Sequence, residues 1–514
     1  MLFSSWNFIV YFLPVTVLGF YLIPASLQVI RKTWLIVASL IFYGYWKIDY
    51  VPLLVISIAA NYAVAEGIIR AHKTAQAKRL LILGVGLNLG LLAYFKYTNF
   101  AVSFLSFIIQ KDVGSFNIIL PLAISFFTFT QISYLVDVYR DRHVHYRFLD
   151  YSLFVVLFPH LIAGPIVRHW EIIPQFASRE FRVSRDNFGV GMALFVMGLI
   201  KKYLADSVAL YADAVYNGAA QNATLSTVDA WIGTVAFALQ IYFDFSSYSD
   251  MAIGLARMFG VKFPHNFDSP YKAHSIIVFW ERWHRTLTRF LREYVYFSLG
   301  GNRRGYPRQI FNIMATMLLS GLWHGAGWTF VLWGVVHGAF LVINHSWRLW
   351  VARLKWDLSH WAYRGASVVL TFGVVCLAWT LFRASTVGVA GKMVSNMLAL
   401  GGFSLPQELV NPDSHFGHLL SKIGCHFVST ASLDIKHYDN AFENIAILLF
   451  ICWVMPNSQQ LLAKYNPILE PVSRSPLFNL NLGVWTGLAF GFLLYLILRN
   501  SYVSEPSPFI YFNF

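Results

Sequence analysis

The sequence predicts an all-α, polytopic transmembrane helical bundle, and three observations carry that expectation. Charged residues fill only 12% of the 514 positions, about half the share that coats a water-facing domain. Hydrophobic residues reach 57%, with aromatics alone at 17%. The apolar positions also gather into runs near the ~20 residues a helix needs to cross the hydrocarbon layer. Gly (34) and Pro (18) are too few for a collagen-like or disordered chain. Three cysteines make neither a disulfide framework nor a zinc pattern.

Taken along the chain, the expected spans are residues 6–24, 51–69, 80–94, 118–136, 151–167, 230–245, 309–323, 328–343, 366–382 and 482–498. Shorter runs at 33–46, 188–200 and 444–455 read as tilted spans or re-entrant segments, the latter tolerated only when buried in protein. The opening MLFSSWNF lacks a basic n-region, so the first run is expected to be retained. The whole of 1–514 is expected to form one polytopic membrane domain, with an extracytoplasmic loop at 384–443 and an aromatic tail at 500–514. Glycines at four-residue spacing (Gly321/Gly325, Gly334/Gly338, Gly483/Gly487/Gly491) predict close helix packing.

Net charge is +14, from 39 Lys and Arg against 25 Asp and Glu. The basic residues lie in separate interhelical segments (70–79, 140–147, 168–185, 262–308 and 348–364), which argues against nucleic-acid binding and for cytoplasmic loops. Loop 384–443 has no such excess and is expected outside. Arg31 and Lys32 after the first span put the N-terminus outside, and the last spans return the C-terminus to the same side.

Chemistry is sought where charge is absent. Between Arg308 and Arg348 no Asp, Glu, Lys or Arg occurs, and the imidazoles there are His324, His337 and His345. His324 sits in GLWHGAGW, where glycines interrupt a spanning pattern. An ionisable side chain at membrane depth is a functional candidate, and burial keeps an imidazole neutral and able to accept a proton. A second candidate is His284. Residues 280–294 (WERWHRTLTRFLREY) read as one amphipathic interfacial helix with His284 on its apolar side. Arg285, Arg289 and Arg292 on the charged side suit phosphates of a soluble donor or of lipids. Asp244 and Asp250, in YFDFSSYSDMAIG, read mainly as a polar network, with Asp250 or Ser249 capping the stretch 251–259; Asp244 is kept as a substrate-binding candidate.

Serine-hydrolase, dinucleotide and zincin motifs are missing. His145 and Asp150 form a His-x4-Asp pair inside a basic connector, a spacing expected by chance among 16 histidines. His415, His418, Cys425 and His426 cluster loosely in the outer loop, and no metal site is expected.

Three segments are decisive together: FDFSSYSDMAIGLARMFG, FWERWHRTLTRFLREYVYFSLGGNR and GLWHGAGWTFVLWGVVHG, with FPHLIAGPIVR upstream. They resemble the membrane-bound O-acyltransferase (MBOAT) family, in its bacterial branch that O-acetylates alginate or peptidoglycan. The resemblance implies an MBOAT-like bundle with re-entrant and cytoplasmic interfacial helices in a bacterial inner membrane, both termini periplasmic. It implies His324 as the main catalytic residue and His284 as the second. It further implies an acyl thioester donor, acetyl-CoA or an acyl carrier protein, with no bound cofactor. An extracytoplasmic polysaccharide would receive acetyl through a periplasmic SGNH/esterase-like partner. Residues 509–514 are apolar enough to dock back into the bundle, and Tyr-containing tails in this branch suggest Tyr511 as an acyl relay; the plainer reading is an interfacial aromatic anchor. A transporter or export channel, and a family member acting on a lipid or protein, stay open as alternatives. A transporter would show matched broken helices in two halves, and no such pair is found.

Overall fold

The computed structural model describes residues 1–140, 145–177, 184–356, 358, 360–430, 433, 435, 438–475, 478–503 and 507–513. Parts of connectors 140–147 and 168–185, of loop 384–443 and of tail 500–514 therefore lie outside the described residues. The chain is helical as its composition requires. In order come α1 (Asn7–Leu22, opening with a π turn), α2 (Gln28–Gly44), α3 (Val51–Arg70), α4 (Ala75–Leu92), α5 (Thr98–Ile109), α6 (Ile124–Tyr139) and α7 (Phe148–Val156). Two long helices follow, α8 (Arg185–Ala220) and α9 (Thr227–Met258). Next are α10 (Ile276–Arg282), α11 (Arg285–Leu291), α12 (Tyr306–His324), α13 (Trp328–Leu354), α14 (Trp361–Arg383), α15 (Val387–Met397), α16 (His415–Lys422), α17 (Tyr438–Val454) and α18 (Val484–Val503). Loop 384–443 also holds two short parallel strands, β1 (Ser404–Pro406) and β2 (His426–Val428). Among the described residues, five helical segments are long and apolar enough to cross a membrane: Ile48–Arg70, Ala75–Ile109, Arg185–Ala220, Trp328–Leu354 and Trp361–Arg383.

Several boundaries differ from the sequence reading, each for a local reason. The run 118–136 becomes helical only at Ile124, because Pro121 lies just upstream and Ala123 takes a left-handed φ of 65°. The run 151–167 stops at Val156, and Pro159 opens a separate turn, Phe158–Leu161. Residues 188–200 are the interior of the 36-residue α8 rather than a short span. Asp250 caps nothing: α9 runs through it to Met258.

The chain forms two compact units. One comprises Met1–Ile200, Ser246–Asn266 and Asn457–Asn513. Its helices α3, α4 and α6 are clamped by buried amides, with Gln131 Oε1 accepting from Asn61 Nδ2 (2.5 Å) and Ser57 Oγ (2.8 Å), and Asn88 Nδ2 donating to Asn61 Oδ1 (2.6 Å). Such polar contacts tie helices together where packing alone gains little over lipid. Asp250 belongs here, accepting from Ser458 Oγ and Gln459 Nε2 at 2.6 Å each. The GxxxG-like face of α18 is unpacked, since a Cβ at Gly483, Gly487 or Gly491 would meet nothing within 4 Å.

The other unit comprises Lys201–Phe245 and Phe267–Pro456. Here glycine spacing is used. Gly321 lies against the Phe330 carbonyl and Gly334, and Gly334 against the Met317 carbonyl, so α12 and α13 meet backbone to backbone. A methyl at either position would force the pair apart.

Candidate functional site

The candidate site grows from the end of α12. His324 is its last residue and 3% exposed. Gly325 turns extended and ends the helix, and a side chain there would strike the Phe330 ring. After Ala326, Gly327 caps α13. The glycines that interrupt the pattern thus leave His324 at a helix end instead of mid-span.

Its ring is held among aromatics. Trp323 and Trp333 lie with ring centroids 4.9 Å away, Trp333 edge-on at 82°, and Phe382 of α14 lies at 5.2 Å. Trp333 then meets His337 one turn on, at 4.6 Å, so one indole sits between two imidazoles. His337 is wholly buried; it packs on Trp280 at 5.1 Å, and neither ring nitrogen has a hydrogen-bond partner among the described residues. Trp379 completes the cage, 5.0 Å from Trp283 and 5.3 Å from Phe382. Edge-to-face pairs at these separations each add about 1 kcal/mol beyond burial, so the cage is stiff.

His284 reaches the same cage from the junction of α10 and α11. The expected single helix over 280–294 is broken there: α10 ends at Arg282, α11 begins at Arg285, and His284 adopts φ 42° and ψ 51°. Left-handed backbone in a residue with a Cβ costs on the order of 1 kcal/mol. The strain turns the imidazole inward, against Phe245 at 4.7 Å and Trp323 at 6.2 Å, with no exposure. Trp323 therefore touches both His284 and His324. Burial pulls the His284 imidazole down to about 3, so it is a neutral ring at physiological pH.

The other sequence candidates separate. Arg292 is exposed and lines a cavity of about 200 Å³ with Glu281, Thr288 and His345, and Trp280 forms the wall shared with the cage. Arg285 and Arg289 are half-buried on α11. Asp244 is 1% exposed and accepts from Lys202 Nζ at 2.8 Å, while the same ammonium reaches Asp206 at 3.0 Å. The sequence reading missed Lys202, the cation that lets two carboxylates sit on these helices. His145 and Asp150 do not act as a pair: His145 meets Glu66 at 2.9 Å, and Asp150 meets Lys32 at 2.6 Å. Among the described residues no cluster of three His, Cys, Asp or Glu is placed to hold a metal ion.

Tyr511 is docked within the first unit, 8% exposed. Phe509 stacks on it at 5.8 Å and on Tyr248 at 4.8 Å, and Tyr248 stacks in turn on Phe3 at 4.6 Å. Burial raises the Tyr511 phenol well above its ordinary value. Unforeseen in the same unit is a buried His169, 3.4 Å from an Asp137 oxygen and 3.2 Å from the Tyr146 hydroxyl. Trp333 and His337 were visible as an i, i+4 pair in a charge-free stretch, a signal that ordinary core packing also produces.

Residues 137–382, which hold the whole cage, match the family model of the membrane-bound O-acyltransferases. The chain is 35% identical to a peptidoglycan O-acetyltransferase of Helicobacter pylori, over all of this chain and 98% of that one. It is 42% identical to a probable alginate O-acetylase of Pseudomonas putida, over 79% of this chain and 82% of the other. A teichoic acid D-alanyltransferase of Bacillus subtilis is 25% identical over 52% of this chain and 69% of its own.

Proposed function

This chain belongs to the membrane-bound O-acyltransferase family, and from that premise we propose that it moves acetyl from acetyl-CoA to an extracytoplasmic polysaccharide such as alginate or peptidoglycan. It is a multi-pass membrane acyltransferase. The observation that carries the finer reading is the buried His324 at the end of α12, in a stretch without a single charged residue.

In the proposed reaction the His324 imidazole takes the proton of the acceptor hydroxyl as its oxygen attacks the thioester carbonyl. The C–S bond breaks, and the imidazolium returns the proton to the leaving thiolate. General base catalysis of this kind contributes about 10²–10⁴ in rate. His284 is the second imidazole of the reaction, on the donor side. The cavity beside Trp280 is the proposed approach of the donor, its phosphates drawn by Arg292 and, along α11, by Arg285 and Arg289. The chain is proposed to lie in a bacterial inner membrane with both termini periplasmic, where an SGNH/esterase-like partner completes transfer.

Tyr511 is the proposed first acceptor, carrying acetyl as a phenyl ester for the partner. A buried phenol with a raised pKa stays protonated, so this step also requires a base. Membrane vesicles given labelled acetyl-CoA test both steps. Transfer is expected in wild type and lost in His324→Ala. Tyr511→Phe removes the first acceptor hydroxyl and should lose both label from the C-terminal peptide and the thioester cleavage coupled to it. Full activity in His324→Ala would remove the base, and normal polymer acetylation in cells carrying Tyr511→Phe would remove the relay.

A further inference from the structure

A cleft near the basic connector lies between α13 and α14, away from the imidazole cage, and holds about 540 Å³. That is within the ~300–1,000 Å³ range of ligand sites. Its length is apolar, lined by Phe340, Ile343, Leu370 and Val374. Polar groups also line it: Asn344 from α13, Ser367 from α14 and His274 just before α10. The Asn344 Oδ1 is enclosed and has no hydrogen-bond partner among the described residues.

The charges around His274 are unbalanced. Arg364, Arg282 and Arg348 act on His274, against the one carboxylate of Glu281. Just beyond, Trp347, Trp350 and Trp356 form a cluster with ring centroids 5.3–6.0 Å apart, yet Trp350 and Trp356 stay about half exposed. Exposed tryptophans beside arginines at the end of an apolar helix mark headgroup depth. The cleft therefore opens at the membrane surface and runs apolar from there along α13 and α14.

We propose that this cleft binds one anionic glycerophospholipid: the Arg282, Arg348 and Arg364 guanidiniums hold its phosphate, Asn344 takes a headgroup hydroxyl, and an acyl chain lies along Ile343, Leu370 and Val374. A free phosphate would satisfy the rim and leave the apolar length empty. A zwitterionic lipid would fill the length and gain little from three guanidiniums. Each basic residue near a membrane surface attracts anionic lipid by roughly 1 kcal/mol, so removing two is expected to reduce the preference about tenfold or more.

The test is native mass spectrometry of the full-length protein released from mixed micelles of phosphatidylglycerol and phosphatidylcholine. Wild type should retain phosphatidylglycerol about tenfold over phosphatidylcholine, and the preference should shrink as salt rises. R348Q/R364Q, on exposed side chains, should bring the two lipids to near parity. S367W should block the cleft and abolish retention of the bound lipid while leaving the rim intact. Equal retention of both lipids by wild type, or an undiminished preference in R348Q/R364Q, overturns the proposal. So does complete displacement of phosphatidylglycerol by equimolar inorganic phosphate, which would make the rim an anion site only.

Discussion

His169 and His337 are both buried in apolar surroundings, and they are held in opposite ways. His169 has an oxygen near each ring nitrogen, Asp137 at 3.4 Å and the Tyr146 hydroxyl at 3.2 Å. His337 has indoles, with Trp333 at 4.6 Å and Trp280 at 5.1 Å, and no hydrogen-bond partner among the described residues. The first arrangement sets polar atoms beside the ring edge. The second fixes only the plane of the ring and leaves its nitrogens for a visitor or for nothing. His324 shares Trp333 with His337, so the same indole packs edge-on against both imidazoles.

The largest expected effects sharpen that contrast. His324→Ala should lower acetyl transfer per folded molecule by about 10²–10⁴, and should also melt lower because it gives up the ring contacts with Trp323, Trp333 and Phe382. Asp137→Ala should spare transfer. Removing a buried polar group that others contact typically costs about 1–3 kcal/mol, so the melting temperature should fall, while transfer per folded molecule stays near wild type. Thermal unfolding and vesicle transfer, measured on the same preparations, decide it. A variant of Asp137 that melts normally but cannot transfer would move His169 into the chemistry and erase the distinction.

How legible this was in the sequence differs by feature. The helical class is legible because 12% charge leaves no other solution, and His324 because nothing charged surrounds it for some forty positions. The glycines that pack α12 on α13 are legible by spacing, yet the same spacing in α18 meets open space. Spacing says which residues share a face and not whether a neighbour comes. The break at Trp283 and His284 is hidden because a hydrophobic pattern survives a two-residue interruption. The partners of Asp250 lie some two hundred positions away, at Ser458 and Gln459, where no local rule reaches.

A smaller effect tests the break. At φ 42° glycine is unstrained, so His284→Gly trades a left-handed histidine for a residue that takes this conformation freely. Relief of about 1 kcal/mol of strain should offset part of the lost packing, while activity drops. His284→Ala keeps the strain and should melt lower than His284→Gly. The imidazole also sets an acid limb. Folded, it stays neutral down to about 3, whereas the unfolded chain takes its proton near 6.5. Its contribution to stability is therefore full above about 6.5 and falls as pH drops toward 3. Both substitutions should flatten that part of the melting-temperature profile; an unchanged acid limb would place the titrating group elsewhere.

The smallest expected effect belongs to His337, and it probes the cage most directly. Leucine has a similar volume and no polar atoms, so His337→Leu removes two buried ring nitrogens that have no partner among the described residues. Eliminating unsatisfied polar atoms is often neutral or stabilising, because their desolvation is no longer carried by the fold. Against this stands the loss of edge-to-face contacts with Trp280 and Trp333, about 1 kcal/mol each. The two nearly cancel, and the melting temperature should shift by no more than a few degrees. Transfer should fall only modestly, as Trp333 loses one of the two rings that hold it against His324. His169→Leu, the same substitution in the oxygen-lined neighbourhood, should melt lower than His337→Leu because it removes the ring that contacts Asp137 and the Tyr146 hydroxyl. If instead His337→Leu abolishes transfer as fully as His324→Ala, both imidazoles flanking Trp333 do chemistry, and the reaction centre extends one turn further along α13.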